Sequence, residues 1–263
     1  MPEKTVAIRG GREHVDVIEA GSGPDLLFLH GLWGLRADDA LLQALAKTHR
    51  VVAPHLPGLG KSSGDEEIVD LWGLLYYLLD LLDALNVRDA TVVAHSLGAL
   101  IAPELVAMQP DRFRRLVLIA PFGLWNAAHP NEDIFVQKDR PDELKARVFH
   151  DPTHPAAIEM FSPTVAAEDN TRVLVERARL YQTAAKYLWP IPDRGLRKRA
   201  HRVTLPTLIA WGRHDRVSPV EYAEDFEALF PQATVQIFEQ SGHYPQIEEA
   251  GALIAAVTGF LDA

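Results

Sequence analysis

The chain has 263 residues, 48% hydrophobic and 24% charged; that composition is globular, and the length suits one large α/β domain or a core with an inserted piece. The formal net charge of −10 argues against nucleic acid, whose binding rests on neutralising phosphates. The absence of cysteine excludes disulfides, thiolate catalysis and zinc–thiolate sites.

Thr5 to Ile8 and His14 to Ile18 are short β-branched runs around Gly10-Gly11 and predict a hairpin. Leu26 to Leu29 is a continuous apolar run, as in a strand covered on both faces, and it stops at His30-Gly31-Leu32-Trp33-Gly34. Asp39 to Lys47 has helical spacing, and Val51 to Ala53 is a further strand. Glu67 to Leu85 predicts a long helix ended near Asn86. Ala90 to Ala94 is again an apolar strand; it ends at His95-Ser96, and helix-favouring residues run from Leu97 to Met108. Leu116 to Ala120 closes the first half. Strands alternating with helices predict a mostly parallel sheet covered on both faces.

From Pro121 to about Val203 the alternation stops. Asp142 to Phe149 and Asn170 to Trp189 read as helices, and Pro152, Pro155 and Pro163 break the interval between them. A long stretch without strands inside an α/β chain reads as an insertion, which divides the chain into a core of residues 1–121 and 204–263 and an inserted piece of 122–203. The basic run Arg194, Arg197, Lys198, Arg199 and Arg202 reads as a solvated helix face. Core pattern resumes with a strand at Thr207 to Trp211, a helix at Pro219 to Phe230, a strand at Thr234 to Phe238 and a last helix at Gln246 to Leu261.

Chemistry concentrates at strand ends. The strand–turn–helix around Ser96 puts one hydroxyl at the apex of a sharp turn, with small residues Ala94 and Gly98 two positions either side and the Leu97 N–H aimed where a negative oxygen forms. The same serine would also serve as a plain helix cap. A nucleophilic serine needs a base to take its proton, and the base needs a carboxylate to hold its ring. Asp215 follows the strand ending at Trp211, and His243 follows the strand ending at Phe238; both are preceded by glycines suited to tight turns. His95 is expected to point away from Ser96. His150 and His154 have metal-like spacing, but Pro152 and Pro155 forbid a regular helix there, and no metal is expected.

Ala94-His95-Ser96-Leu97-Gly98 resembles the G-x-S-x-G nucleophile turn of the α/β-hydrolase family, with alanine in place of the first glycine. Gly242, His243, Pro245 and Glu248 resemble its histidine loop, and the order Ser96, Asp215, His243 is the family's order. The resemblance implies an α/β-hydrolase fold with an inserted helical cap over the serine. His30-Gly31-Leu32 resembles the H-G-x segment, which implies Leu32 and Leu97 as the two oxyanion N–H donors. Pro54 to Ser62 resembles a structural loop of the family, with His55 in place of its aspartate.

The activity implied is that of a serine carboxylesterase acting on esters with an apolar acyl or alcohol part, through an acyl-enzyme and without a cofactor. Trp33, Trp125, Phe161, Tyr187 and Trp189 are the candidate pocket residues, with Tyr181 beside them. Two other readings stand beside it. One is a hydrolase of carbon–carbon bonds in ring-cleavage products, a subgroup that typically carries tryptophan where this chain has Tyr244. The other is a ligand receptor on the same fold. The N-terminal residues lack a signal-peptide profile, and the most apolar stretch, Leu71 to Leu79, is too short to span a bilayer, so a soluble cytoplasmic protein with a small-molecule substrate is expected. Monomer and homo-oligomer are not distinguished.

Overall fold

The computed structural model describes residues 1–263 except 37, 139, 162–168 and 192. Its strands are β1 (Glu3–Ile8), β2 (Glu13–Ala20), β3 (Asp25–Leu29), β4 (Arg50–Pro54), β5 (Ala90–His95), β6 (Phe113–Ile119), β7 (Thr207–Gly212) and β8 (Ala233–Phe238). They form one sheet in the order β1-β2-β4-β3-β5-β6-β7-β8. The pairs β1–β2 and β2–β4 are antiparallel and all the others parallel. Every residue of β5 and β7 is buried, which fits their largely apolar sequence.

The helices are α1 (Ala40–Leu45), α2 (Leu71–Ala84), α3 (Leu97–Met108), α4 (Pro141–Val148), α5 (Pro155–Phe161), α6 (Asn170–Leu188), α7 (Tyr222–Glu227), α8 (Pro245–Glu248) and α9 (Ala250–Asp262). Side-chain alternation along the strands splits the core into two layers. Val93, Val117 and Ile119 face α1 and α9 through Leu41, Leu42, Leu253 and Val257. Val92, Ala94, Leu116 and Leu118 face α2, α3 and α7 through Leu78, Leu105 and Phe226. Among the described residues, no helix is long and apolar enough to cross a membrane.

Several expected boundaries move; β6, for one, begins at Phe113 and not Leu116. The long helix begins at Leu71 and not Glu67, because Asp70 is extended and its carboxylate caps the Gly73 N–H. It ends as expected near Asn86, whose φ of 52° is left-handed. Pro155, read as a breaker, is instead the first residue of α5, where a missing N–H costs nothing. Pro163, read as a further break, lies outside the described residues. The helix after β7 spans only Tyr222–Glu227. The last helix is two: Glu249, at φ −126°, interrupts it and turns its carboxylate back to the Gln240 N–H and the Ser241 hydroxyl.

The stretch between β6 and β7 holds α4, α5 and α6, with no strand among its described residues. It is not loosely attached. The Glu132 N–H donates to the Val217 carbonyl, and the Arg216 N–H to the Arg147 carbonyl. The basic run near its end forms two short 3-10 turns, Leu196–Lys198 and Ala200–Arg202, and not one helix face; Arg197, Lys198 and Arg202 are exposed as expected, while Arg199 turns inward. Arg199 grips the buried Glu104 of α3 with two bonds of 2.5 and 2.6 Å, and Arg202 donates to the Ala107 carbonyl. Arg199 also lies over the Trp72 ring.

Candidate active site

Ser96 sits between β5 and α3 at φ 55° and ψ −114°, a conformation that costs an L-residue free energy. Its surroundings hold it there. The Ser96 N–H donates to the Ile119 carbonyl at 2.9 Å, and the Gly98 N–H to the His30 carbonyl at 3.1 Å. Gly98 has to be glycine, since a Cβ on it would lie 2.2 Å from the Leu29 carbonyl oxygen. The turn therefore closes only with a bare residue two places after the serine. Ala94, in strand β5, is fully buried and small enough for the other side.

β7 and β8 are adjacent in the sheet, and the loops beyond them bring the other two candidates in. His243 Nε2 is 2.8 Å from Ser96 Oγ, and His243 Nδ1 is 2.7 Å from Asp215 Oδ2. The carboxylate accepts, so Nδ1 carries the proton and Nε2 is left to accept from the serine hydroxyl. Ser96 and His243 are 1% and 0% exposed, so the meeting point is closed to solvent. Asp215 Oδ1 accepts from the Val217 and Ser218 N–H groups at 2.8 and 2.9 Å. The glycines before both loops are needed for close approach: a Cβ on Gly212 would lie 1.9 Å from the Gly242 carbonyl oxygen.

His243 is also held by its main chain. Its N–H donates to the Val148 carbonyl at the end of α4, 2.7 Å away. Its own carbonyl accepts from His95 Nε2 at 2.8 Å. Glu248 supports the loop from below, accepting from the Gly242 N–H at 2.7 Å and the Asp151 N–H at 2.9 Å. Burial raises the Glu248 carboxyl above its ordinary value. His95, the Val148 carbonyl and Glu249 were not singled out from the sequence; main-chain partners leave no residue-type signal, and the side chain of His95 was only expected to avoid Ser96.

The segment after β3 lies against the serine. A Cβ on Gly31 would lie 3.1 Å from Ser96 Cβ and 2.7 Å from His95 Nδ1. Leu32 and Leu97 are buried, and among the described residues neither main-chain N–H has a hydrogen-bond partner. His30 is locked as the neutral ring: Nδ1–H donates to the Gly31 carbonyl and Nε2 accepts from the Leu56 N–H. Burial lowers its protonation to about 4. His95 is likewise lowered well below the ordinary histidine value, by burial first and by the neighbouring His243 second.

The aromatic candidates divide. Trp33 packs edge-on to the buried Phe161, with ring centres 5.2 Å apart, and also meets Tyr244 at 6.1 Å. Tyr244 stacks on Phe149 beside His243. Tyr187 is buried, and burial together with Asp65 and Asp70 raises its phenol. Trp125 and Trp189 do not join the cluster: they are 43% and 54% exposed, and Trp189 Nε1 reaches Asp133. A surface indole and a pocket indole look alike in sequence. His150 stacks on His214 with ring centres 4.0 Å apart, and His154 accepts from the Ala156 N–H. Among the described residues, no group of three His, Cys, Asp or Glu side chains converges as a metal site.

The family model for the alpha/beta hydrolase fold matches residues 24–250. A pimeloyl-[acyl-carrier protein] methyl ester esterase from Photobacterium profundum is 28% identical over 92% of this chain and 96% of its own. A 2-hydroxymuconate semialdehyde hydrolase from a Pseudomonas species is 27% identical over 92% of this chain and 88% of its own. Among solved structures, a bacterial membrane phospholipase A superposes with a TM-score of 0.82 at 26% identity, covering 99% of this chain and 86% of that one. The chain belongs to the α/β-hydrolase fold family.

Proposed function

We propose that this α/β-hydrolase is a serine esterase that cleaves carboxylic esters with an apolar acyl or alcohol part. The observation that carries the reading is the buried, unbroken line from Ser96 Oγ through His243 to Asp215, with bonds of 2.8 and 2.7 Å. In this reading Ser96 Oγ attacks the ester carbonyl while His243 Nε2 takes its proton. Asp215 keeps the ring in the required tautomer and stabilises the imidazolium. The Leu32 and Leu97 N–H groups receive the oxyanion. The tetrahedral species collapses with the His243 proton passing to the leaving alcohol. Water, deprotonated by the same nitrogen, then attacks the acyl-serine and releases the acid.

Residues 122–203 serve as the cap in this scheme, over a core of 1–121 and 204–263. Ser96 is 1% exposed, so substrate entry needs a neighbouring segment to move. Phe122 and Tyr244, with ring centres 5.8 and 5.9 Å from that of His243, form the apolar wall beside the histidine, and Trp33 and Phe161 extend it beyond Tyr244. The relative named as a methyl ester esterase supports ester chemistry. A second reading, hydrolysis of a carbon–carbon bond, draws on the relative named as a muconate semialdehyde hydrolase. A panel of p-nitrophenyl esters of rising chain length, with Ser96→Ala as control, tests the first. A ring-cleavage product turned over faster than every ester in the panel would favour the second.

A further inference from the structure

We propose that His95 is a positioning residue for the reaction: its Nε2–H fixes the main chain of His243 so that one imidazole meets Ser96 and Asp215 together. The inference rests on the serine-esterase reading above and extends it to a residue outside the three reacting side chains. His95 and Ser96 are consecutive on one turn. A hydrogen bond of 2.8 Å from the first to the carbonyl of His243 therefore ties the nucleophile turn to the histidine loop, although its two residues lie 148 apart in the chain. The remaining main-chain group of His243, its N–H, is held from the opposite side by the Val148 carbonyl at 2.7 Å. The imidazole thus swings from a backbone clamped at both ends.

The ring of His95 does more than donate. Its centre lies 5.1 Å from the His243 ring and 4.4 Å from the Tyr244 ring. On its other side Gly31 rests so closely on Nδ1 that no Cβ fits between them. One side chain is therefore the spacer between the nucleophile turn, the histidine loop and the segment carrying Leu32. His95 is not a substitute base, because Nε2 is spent on the His243 carbonyl and Nδ1 faces Gly31. Its burial keeps it neutral, so it places no second positive charge beside His243 when that ring takes the serine proton.

The test compares two amides in the full chain. The side-chain nitrogen of glutamine can overlay Nε2 of histidine and reach the carbonyl; that of asparagine is one methylene short. His95→Gln, His95→Asn and His95→Ala are measured for p-nitrophenyl butyrate hydrolysis, for the rate of Ser96 labelling by a fluorophosphonate, and for thermal unfolding. His95→Asn and His95→Ala are expected to lower kcat by about 10²-fold with labelling slowed in parallel, the size of effect a small misplacement of a reacting group brings. KM stays within about twofold, since no substrate contact is lost. His95→Gln is expected to recover most of kcat.

The proposal is overturned if His95→Gln is as impaired as His95→Asn at equal melting temperature, or if His95→Ala matches the wild type. Unfolding of both amide variants would assign His95 to the fold alone and overturn it as well. A wild-type chain that neither hydrolyses the ester nor labels at Ser96 removes the esterase reading itself, a result distinct from all of these.

Discussion

Asp215 meets His243 with one oxygen only. Oδ2 takes the Nδ1–H at 2.7 Å, while Oδ1 is filled by the N–H groups of Val217 and Ser218. The turn thus aims the carboxylate, and the two functions separate by atom. Asp215→Asn keeps Oδ1 in the turn and turns an NH2 toward Nδ1, which forces the wrong tautomer on the ring. The expected result is a loss of about 10⁴-fold in kcat with little loss of stability. Asp215→Ala is expected to lose both. Ester kinetics beside denaturant unfolding distinguish the two variants, and an Asn variant within tenfold of wild type contradicts the tautomer argument.

Ser96 stands at φ 55°, where glycine is at ease and other residues are strained. Ser96→Gly is expected to exceed Ser96→Ala in unfolding free energy by about 1 kcal/mol, because both lose the hydroxyl but only glycine relieves the backbone. Both are expected to be inactive on esters. Chemical unfolding of the pair checks the difference, and equal stabilities would mean the turn carries no strain.

Gly212→Ala puts a methyl group 1.9 Å from the Gly242 carbonyl oxygen, where only backbone movement makes room. The loops of Asp215 and His243 then separate. A stability loss of about 3 kcal/mol is expected, with kcat down by about 10²-fold or more. Unfolding curves and ester turnover measured on the same preparation test both halves.

Stability should fall on acidification through the histidines. His30 stays neutral in the folded protein down to about pH 4, whereas the unfolded chain takes that proton near the ordinary value of 6.5. Between those limits the unfolded state binds more protons, so stability is highest above 6.5 and declines as pH drops. The full decline for His30 is about 3 kcal/mol, at about 1.4 kcal/mol per pH unit. His95 acts with the same sign; Asp39 and Glu248, raised by burial, act with the opposite one. Unfolding free energies at pH 7 and pH 4.5 should converge in His30→Gln relative to wild type. An unchanged slope in that variant removes His30 from the account.

The sheet and the chemistry at the ends of its strands were legible because both leave side-chain signals. Fully covered strands such as β5 and β7 read as largely apolar runs, and glycines mark the tight loops after them. Ser96 and Asp215 follow such strands, His243 follows the half-covered β8, and the order of the three resembles that of the family, so their meeting was foreseeable. Errors arose where a local side-chain bond overrides periodicity: Asp70 delays α2, and Glu249 splits the last helix. Pro155 misled because the same ring that breaks a helix interior also starts a helix. Trp125 and Trp189 misled because exposure is a tertiary property. The Val148 carbonyl was invisible for the plainest reason, since every residue carries one.

That carbonyl bears on how the molecule can be re-engineered. The stretch between β6 and β7 invites exchange with the equivalent stretch of a relative, as a way of transplanting substrate preference. Here, though, α4 ends with its last carbonyl on the His243 N–H, so a wholesale swap also removes a brace of the His243 ring. A graft whose junctions fall after His150 leaves that brace in place and exchanges only α5 and α6.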